Sequence, residues 1–255
     1  MNSRTICLFI AALGFVPCSY ADEELAPLMV KKASKFYESN FDSEGPINKK
    51  LWKPMQATQW SVEGGVLLGQ ESTKENQAAK SHHRGLEPRV AMPSLPQDFC
   101  MSFSVSFDGG EETPIAPFVE FNHHVTRVKF SETDGMRLLA ASETMLVDHV
   151  AEFKWEPGKV YQCLAERMGE EFVFQITGGP TLYAKHATYD EKAPSGSDGF
   201  GTAGPRFGTT KLDDVIIWNI APEAKGSWAK TQKSLRSFEP IQVKEPKEKA
   251  PAKKP

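Results

Sequence analysis

The sequence lacks an excess of basic residues and lacks any apolar run long enough to cross a membrane. Its 30 Lys and Arg against 33 Asp and Glu give a net charge of −3. Without a basic excess the chain does not suit a general nucleic-acid binder, so we expect no nucleic-acid partner. The apolar run from Ile6 to Cys18 is shorter than the ~20 residues that a transmembrane helix needs. The 40% hydrophobic and 25% charged fractions exclude a wholly disordered chain and a polytopic membrane protein.

Helical periodicity is also nearly absent, and short alternating segments take its place. In the segment from Phe99 to Phe107 every second residue is Phe, Met or Val, which is typical of a strand with one buried face. Further strands are predicted over residues 59–62, 66–70, 119–121, 126–130, 136–140, 159–168, 172–177, 182–185 and 212–220. Short strands separated by turn residues predict an all-β fold with two antiparallel sheets. Helix is expected only at the margins, partly over residues 24–39 and again from Trp228 to Phe238.

The two ends differ from the middle. Arg4, the apolar run and Ser19-Tyr20-Ala21 resemble a secretory signal, with cleavage expected after Ala21; lipid attachment at Cys18 is the alternative. We therefore expect an exported protein that is periplasmic, secreted or on the cell surface. From Glu239 onwards five Lys, three Glu and four Pro predict a disordered tail that is solvated or contacts an acidic surface. The predicted divisions are a signal peptide (1–21), a lead-in (22–35), the sandwich (36–221), a helical extension (222–238) and the tail (239–255).

Cysteine is scarce, since the sequence has four and only Cys100 and Cys163 lie beyond the signal. In an exported protein an even number is compatible with one disulfide closing a long loop. Two buried free thiols on separate strands are the alternative. The sequence leaves both open.

Four segments carry a resemblance to a known fold. They are FYESNFDS from Phe36, TQWSVEGGVLLGQE from Thr58, DFCMSFSVSF from Asp98, and KLDDVIIWNI from Lys211. Together they resemble the concanavalin-type jelly roll, are similar to the domain of bacterial secreted proteins called 3-keto-disaccharide hydrolase, and are more distantly similar to laminin-G-like modules. The resemblance covers roughly residues 36–221. It implies a two-sheet antiparallel sandwich and, through that bacterial family, activity on 3-keto-glycosides.

A paired-carboxylate motif is missing. Glycosidases of the laminarinase kind place two carboxylates on one strand face in an E-x-D-x-x-E or E-x-D-x-E pattern, with one as nucleophile and one as acid. Here Glu120 stands alone in its predicted strand, and Glu111-Glu112 lies in a predicted turn. Hydrolysis by that mechanism is therefore not expected.

The polar stretch EFNHHVTRVKF, from Glu120 to Phe130, is the candidate catalytic segment. If Glu120, Asn122 and His124 share one strand face, they form a polar cluster with His123 pointing away. Neighbouring residues of a strand diverge, so a metal or base site needs one histidine from this pair and one from His82-His83. The candidate catalytic residues are His82, His83, Glu120, His124 and Arg127. The alternative is that these are ordinary exposed or hydrogen-bonded side chains.

Two further sites are predicted. A structural calcium ion where the first and last strands meet would use Asp42 with Asp213 or Asp214, unless the latter two only begin a strand. Trp52 and Trp155 lie beside Lys and Pro in predicted loops, so they are candidate ligand-binding residues, although either could instead cover the edge of the sandwich. Trp60 and Trp218 are predicted to be core residues.

These observations favour an exported concanavalin-like domain that binds a carbohydrate or a related extracellular ligand without hydrolysing it. An enzyme of the 3-keto-glycoside type is the first alternative, which the resemblance implies and no motif supports. A structural domain held at the cell surface by its tail is the second.

Overall fold

The computed structural model describes residues 25–112, 115–191 and 199–243. Within them the chain forms the following strands: β1 Lys32–Ser39, β2 Gly45–Pro46, β3 Lys53–Pro54, β4 Gln59–Glu63, β5 Val66–Gln70, β6 Arg89–Ala91, β7 Phe99–Asp108, β8 Phe118–Phe121, β9 Thr126–Ser131, β10 Gly135–Ala140, β11 Met145–Val150, β12 Tyr161–Met168, β13 Glu171–Ile176, β14 Leu182–Lys185, β15 Phe200–Ala203, β16 Thr209–Ile220 and β17 Ile241–Gln242. The two short α-helices are α1 Lys74–Ala78 and α2 Trp228–Ser234, and residues Ala187–Tyr189 form one 3₁₀ turn.

The strands build two antiparallel sheets. Sheet A has the order β14-β13-β12-β7-β16-β5-β4-β2, with β1 paired to β16 as a branch, and sheet B has the order β17-β11-β10-β9-β8-β15-β6-β3. The predicted all-β sandwich of two antiparallel sheets is confirmed. The hairpin around Gly64-Gly65 is also present, and both glycines have positive φ, as a two-residue turn between strands of this twist requires.

The main core fills the space between the sheets. On β7 the alternate residues Phe99, Met101, Phe103, Val105 and Phe107 all belong to it, as their spacing predicts. The other face of β7 is not open to solvent at its start, because Cys100 packs in a second apolar cluster with Met29, Val30 and Trp228. The terminal segments therefore cover the outer face of sheet A.

The last long strand differs from its prediction. The sequence predicts one face that carries Leu212, Ile216, Trp218 and Ile220, but the pairing of β16 with β7 is interrupted between Asp213 and Ile216. Asp214 has a φ of 49° in this bulge. An extra residue reverses the alternation beyond it, so Val215 and Ile217 enter the main core, whereas Trp218 packs against the second cluster.

The partial helix predicted over residues 24–39 does not form in the described residues: residues 25–31 are neither helix nor strand, and Lys32–Ser39 pair with β16. Before β1, the fully buried carboxylate of Glu166 accepts hydrogen bonds from the backbone N–H groups of Leu28, Met29 and Val30, each at 2.8 Å. These bonds fix the segment against sheet A.

Of the two alternatives that the sequence leaves open for the cysteines, the structure has the two buried free thiols. Cys100 and Cys163 are free, although their strands are neighbours. Cys163 is paired with Phe103 and belongs to the main core, whereas Cys100 is paired with Glu166 and belongs to the second cluster. They therefore face opposite sides of sheet A and cannot join.

At the C-terminus the predicted helical extension contains α2, which ends at Ser234. The prediction of disorder from residue 239 is wrong at its start, because Ile241 and Gln242 pair with Leu146 and Met145 of β11. The rest of the tail, residues 244–255, and the predicted signal peptide lie outside the described residues. In the described ranges, neither α-helix has the length and apolar composition needed to span a bilayer.

Candidate functional site

A cavity of about 500 Å³ opens on the face of sheet B that points away from the core. Its charged and imidazole lining comprises Arg84, Glu87, Arg89, Arg127, Lys129, Glu143, His82, His83 and His124. Gln56, Leu86 and Ile115 complete the lining. The cavity thus holds four cationic side chains and two carboxylates, with three histidines at its rim.

Strand alternation explains why polar residues collect on this face. Val119 and Val128 belong to the core, so their neighbours in sequence, Glu120 and Arg127, point outward. Glu120 and Arg127 are direct cross-strand partners of β8 and β9. On the other side, Glu120 pairs with Gly201 of β15, where an added Cβ would approach the Glu120 Cγ to 3.3 Å. The glycine makes room for this carboxylate on the sheet.

Arg127 joins two carboxylates. One of its terminal nitrogens lies 2.5 Å from Glu120 Oε2, and the other donates to Glu143 Oε1. Glu143 lies in the turn between β10 and β11 and also pairs with Lys129 Nζ at 2.9 Å. Arg127 is only 5% exposed, so the network is largely shielded from water.

Both carboxylates are held in their ionised form. Burial opposes ionisation of Glu120, but hydrogen bonds from His123 and Arg127 and the charge of Arg127 outweigh it and lower its pKa to about 2. For Glu143, burial is likewise outweighed by the hydrogen bond from His124 and the charges of Arg127 and Lys129, which hold its pKa well below the usual range. Neither group is suited to donate a proton at neutral pH.

An aromatic ring supports the cations. Phe118 is buried but lies on the outward face of β8, outside both apolar clusters. The Arg127 guanidinium carbon lies 3.8 Å from the centre of its ring, and that of Arg89 lies 5.5 Å away. Phe118 therefore holds two guanidinium groups at the cavity by cation–π contact.

The segment with the second histidine pair is a turn. The strands are Phe118–Phe121 and Thr126–Ser131, and Asn122 and His124 between them have φ of 54° and 64°. The expectation of one strand face shared by Glu120, Asn122 and His124 is wrong for this reason. His123 does not point away from Glu120, because its Nδ1 lies 2.8 Å from Glu120 Oε1.

The turn brings three possible metal ligands together. Glu120, His123 and His124 place one ligand atom each within 4.8 Å of one another, and no other group of three such residues does so in the described part of the chain. Imidazole and carboxylate are ligands suited to zinc and related ions. His124 Nδ1 also lies 3.5 Å from Glu143 Oε1, which orients its ring toward the cavity network.

The first histidine pair reaches the same cavity from the loop after α1. His83 has a φ of 54°, and its Nδ1 lies 3.2 Å from Gln56 Nε2. His82 Nδ1 lies 2.9 Å from Ser81 Oγ. His82, His83, His124 and Arg127 thus line one cavity, while Glu120 lies beside it and borders a smaller cavity of about 90 Å³ with His123. Both histidine pairs contribute to the larger cavity, but neither His82 nor His83 forms a group with Glu120 and His124 whose ligand atoms all lie within 4.8 Å of one another. The predicted site with one histidine from each pair and Glu120 is therefore not assembled, and the chemical roles of these residues stay predictions.

The two tryptophans predicted to bind ligand lie in the core. Trp52 is 2% exposed, packs against Phe41 and Phe200, and donates from Nε1 to the Tyr37 hydroxyl at 2.9 Å. Trp155 is 4% exposed, with its ring centre 4.2 Å from that of Tyr161. Neither indole face is open to a ligand. Trp60 is a core residue as predicted, and Trp218 is half-buried against the second cluster.

The acidic residues of the predicted calcium site lie near one another without converging. The charges of Asp214 and Asp42 act on Asp213, whose pKa is raised mainly by burial. Asp42 and Asp214 are exposed, and the three do not bring their carboxylate oxygens within 4.8 Å of one another. Calcium binding here stays a prediction.

Sequence reasoning missed Arg89, Lys129 and Glu143 as cavity residues. A signal existed for Lys129, because it follows Arg127 by two positions on a predicted strand and so shares its face. No local pattern marks Glu143, which comes from a different hairpin and meets Arg127 only in the folded sheet.

No protein-family model matches the chain, and no curated protein sequence does. Among solved structures, a Bacillus subtilis protein of unknown function with a galectin-like fold has a TM-score of 0.52 at 11% identity, over 76% of this chain and 99% of that one. A carbohydrate-binding module from Bacillus subtilis has a TM-score of 0.40 at 12% identity, over 66% and 95%. A non-specific endo-β-1,3(4)-glucanase has a TM-score of 0.44 at 10% identity, over 76% and 96%. The chain is thus a concanavalin-like jelly-roll sandwich, similar in fold to the galectin-like protein.

Proposed function

We infer that this domain binds a carbohydrate in the cavity on the outward face of sheet B and does not hydrolyse it. The observation that carries this proposal is the pairing of Glu120 and Glu143 with one buried cation, Arg127. Glycoside hydrolysis requires a carboxylic acid whose pKa is raised so that it can protonate the leaving group. The pKa of both carboxylates is lowered, so neither meets this requirement.

The lining suits a ligand rich in hydroxyl groups. The volume of about 500 Å³ falls within the roughly 300–1,000 Å³ of small-ligand sites. Guanidinium and ammonium groups donate hydrogen bonds, whereas Glu87, Glu143 and Gln56 accept them, and hydroxyl groups can pair with either kind. The resemblance to concanavalin-type domains favours a sugar among such ligands.

A glycan array tests this function directly. We expect the full chain to retain a defined set of glycans and the double variant His82→Ala/His83→Ala to bind them more weakly, because both rings form the cavity rim. His149→Ala is the matched control, since this histidine lies on β11 and does not line the cavity. Retention of no glycan contradicts binding. Incubation with a retained glycan is then analysed by chromatography. Detection of shortened products contradicts the non-hydrolytic role.

A second function is favoured by the three histidines that converge on the cavity. The resemblance to 3-keto-disaccharide hydrolases suggests that a histidine could abstract the acidic proton beside a sugar ketone, since imidazole is the commonest general base. Incubation with methyl 3-keto-glucoside tests this. If the chain turns this substrate over and His82→Ala, His83→Ala or His124→Ala abolishes the turnover, the enzymatic function is supported in place of the binding function. If no turnover is observed, the binding function stands.

The place of action is part of the proposal. Export rests on the signal-like residues 1–21, and retention at a surface would rest on the Lys- and Pro-rich tail. Fractionation of cells that express the full chain, with N-terminal sequencing of the product, tests export. A chain that stays in the cytoplasm with Met1 attached contradicts it.

A further inference from the structure

Arg89 differs from the other guanidinium groups of the cavity because no acceptor holds it. Arg84 donates from Nε to the Gln77 carbonyl at 2.8 Å, and Arg127 pairs with Glu120 and Glu143. Among the described residues, the Arg89 guanidinium makes no ion pair, and its buried Nε has no hydrogen-bond partner, a feature that it shares with the Nε of Arg127. A half-buried cation in this state retains donors that a ligand can use.

The position of Arg89 directs it to the cavity floor. Val90 is a core residue, so Arg89 beside it points outward from β6. Its cross-strand neighbour on β15 is Ala203, which in turn neighbours Phe118 on β8. The alanine between Arg89 and Phe118 is small and fully buried, and the guanidinium extends over it, with its carbon 5.5 Å from the centre of the Phe118 ring.

The electrostatic surroundings do not favour a cation at this point. Burial lowers the pKa of Arg89; the charge of Glu87 opposes this, while the charge of Arg127 adds to it. The charges of Glu120 and Glu143 also favour the cation, but none of these three carboxylates forms an ion pair with Arg89, which lies beside a second guanidinium on the same aromatic ring. An anion placed between the cavity cations would offset the burial of Arg89 and its repulsion with Arg127.

The net charge of the cavity lining also favours an anionic ligand. Four cations, Arg84, Arg89, Arg127 and Lys129, face two carboxylates, which leaves the lining two charges positive without the histidines. It is one charge positive when Glu120, the partner of Arg127 beside the cavity, is counted. The whole chain carries −3. The positive charge is thus concentrated locally, against the sign of the protein as a whole, as in sites that attract anions.

We propose that the sugar taken by this cavity is acidic, and that Arg89 receives its anionic group, a carboxylate or a sulfate ester. This inference rests on the proposed carbohydrate-binding function and names its ligand class. Both anions present paired oxygens that match the planar fork of a guanidinium, so Arg89 can bind either through two parallel hydrogen bonds. The hydroxyl groups of the same sugar are left for the donors and acceptors of the rim.

The test uses an array that carries neutral glycans beside their uronic-acid and sulfated counterparts, probed at 0.15 M salt with the full chain. We expect at least tenfold stronger retention of the acidic members, because charge-assisted hydrogen bonds are the stronger kind. Preference for uronates identifies a carboxylate ligand, and preference for sulfated glycans identifies a sulfate. Arg89→Ala is expected to weaken this retention at least tenfold, and Arg89→Lys to restore only part of it, since an ammonium lacks the fork.

Lys211→Ala is the matched control, because Lys211 is exposed on β16 of sheet A and its loss removes the same charge far from the cavity. Thermal unfolding checks that every variant is folded. Equal retention of neutral and acidic glycans, or equal retention by Arg89→Ala and the unchanged chain, overturns the acidic ligand and leaves carbohydrate binding in place. Retention of no glycan overturns both.

Discussion

Glu120 and Arg127 face each other across β8 and β9, and a 2.5 Å ion pair joins them on a face of the sheet that would normally be solvated. Their burial makes the pair different from a surface salt bridge, because each charge depends on the other for its solvation. Glu143 shares the same arginine. The cavity wall is therefore a charge network fixed in position before a ligand arrives.

Loss of Arg127 is expected to destabilise the fold severely. Arg127→Ala leaves Glu120 and Glu143 without their shared partner, and breaking a buried pair in this way costs about 3–5 kcal/mol. Arg137→Ala on the next strand is the control: its pair with Asp134 is 32% and 57% exposed, so a loss of under about 1 kcal/mol is expected. Urea unfolding of both variants measures the difference. Similar losses for the two would show that the Arg127 network contributes no more than a surface pair.

The same network predicts how stability depends on pH. The pKa of Glu120 is about 2 in the fold against an ordinary value of 4.5. A lowered folded pKa contributes stability that is complete above the unfolded pKa and is lost as pH falls through the folded one. We therefore expect the free energy of unfolding to fall between pH 4.5 and 2, with a Glu120 share on the order of 3 kcal/mol.

Urea unfolding across this pH range, for the unchanged chain and for Glu120→Gln, isolates that share. The glutamine cannot ionise, so the variant should lose less stability on acidification. Glu156→Gln is the control, because this exposed carboxylate pairs with Lys159 at the surface, where solvent screens the pair. The same acid slope in Glu120→Gln as in the unchanged chain would contradict the pKa assigned to Glu120.

Strand alternation made most of the fold predictable. On β7 it identified the core residues, and on β14 it predicted the strand Leu182–Lys185 with its observed bounds. The pattern failed where the backbone departs from regular geometry. The bulge at Asp214 reverses the alternation of β16, and a non-glycine residue at positive φ leaves no mark in the sequence.

The site was predictable only in part for a related reason. The histidine pairs are visible in the sequence, but the turn at Asn122 and His124 again uses left-handed residues without glycine, so the sequence pattern there favours a strand. The prediction that Trp52 and Trp155 bind a ligand is wrong for a different reason. Lys and Pro beside Trp52 indicate a loop correctly, yet only tertiary packing shows that the loop turns its indole inward.

The burial of Trp52 leads to a stability prediction in place of a binding one. Trp52→Ala removes a core ring and its hydrogen bond to Tyr37, so a loss of about 3–5 kcal/mol is expected from denaturant unfolding. Leu51→Ala, at the exposed neighbouring position, should change stability by less than about 0.5 kcal/mol. A Trp52→Ala variant that keeps its stability but loses glycan retention would show that Trp52 contacts the ligand.

The two thiols are expected to be inert until the protein unfolds. Burial raises the pKa of Cys100 to about 12 and that of Cys163 well above its usual range, so the reactive thiolate is scarce in the folded state. Iodoacetamide at pH 8 should leave both unlabelled in the native chain and label both in urea without reductant, as read by peptide mass spectrometry. A peptide pair linked through Cys100 and Cys163 in a non-reduced digest would contradict the free thiols.

The last prediction concerns the segment that Glu166 holds. The Glu166 carboxylate accepts hydrogen bonds from the backbone N–H groups of Leu28, Met29 and Val30. Glu166→Ala therefore leaves three backbone donors without their acceptor. An unsatisfied buried donor costs about 1–3 kcal/mol, which should open the segment and speed hydrogen exchange at residues 28–30 roughly tenfold or more. Glu170→Ala is the control, because this carboxylate is exposed and its side chain lies 3.6 Å from Lys185. Unchanged exchange at residues 28–30 in Glu166→Ala would mean that packing of Met29 and Val30 in the second apolar cluster, and not the carboxylate, fixes the segment.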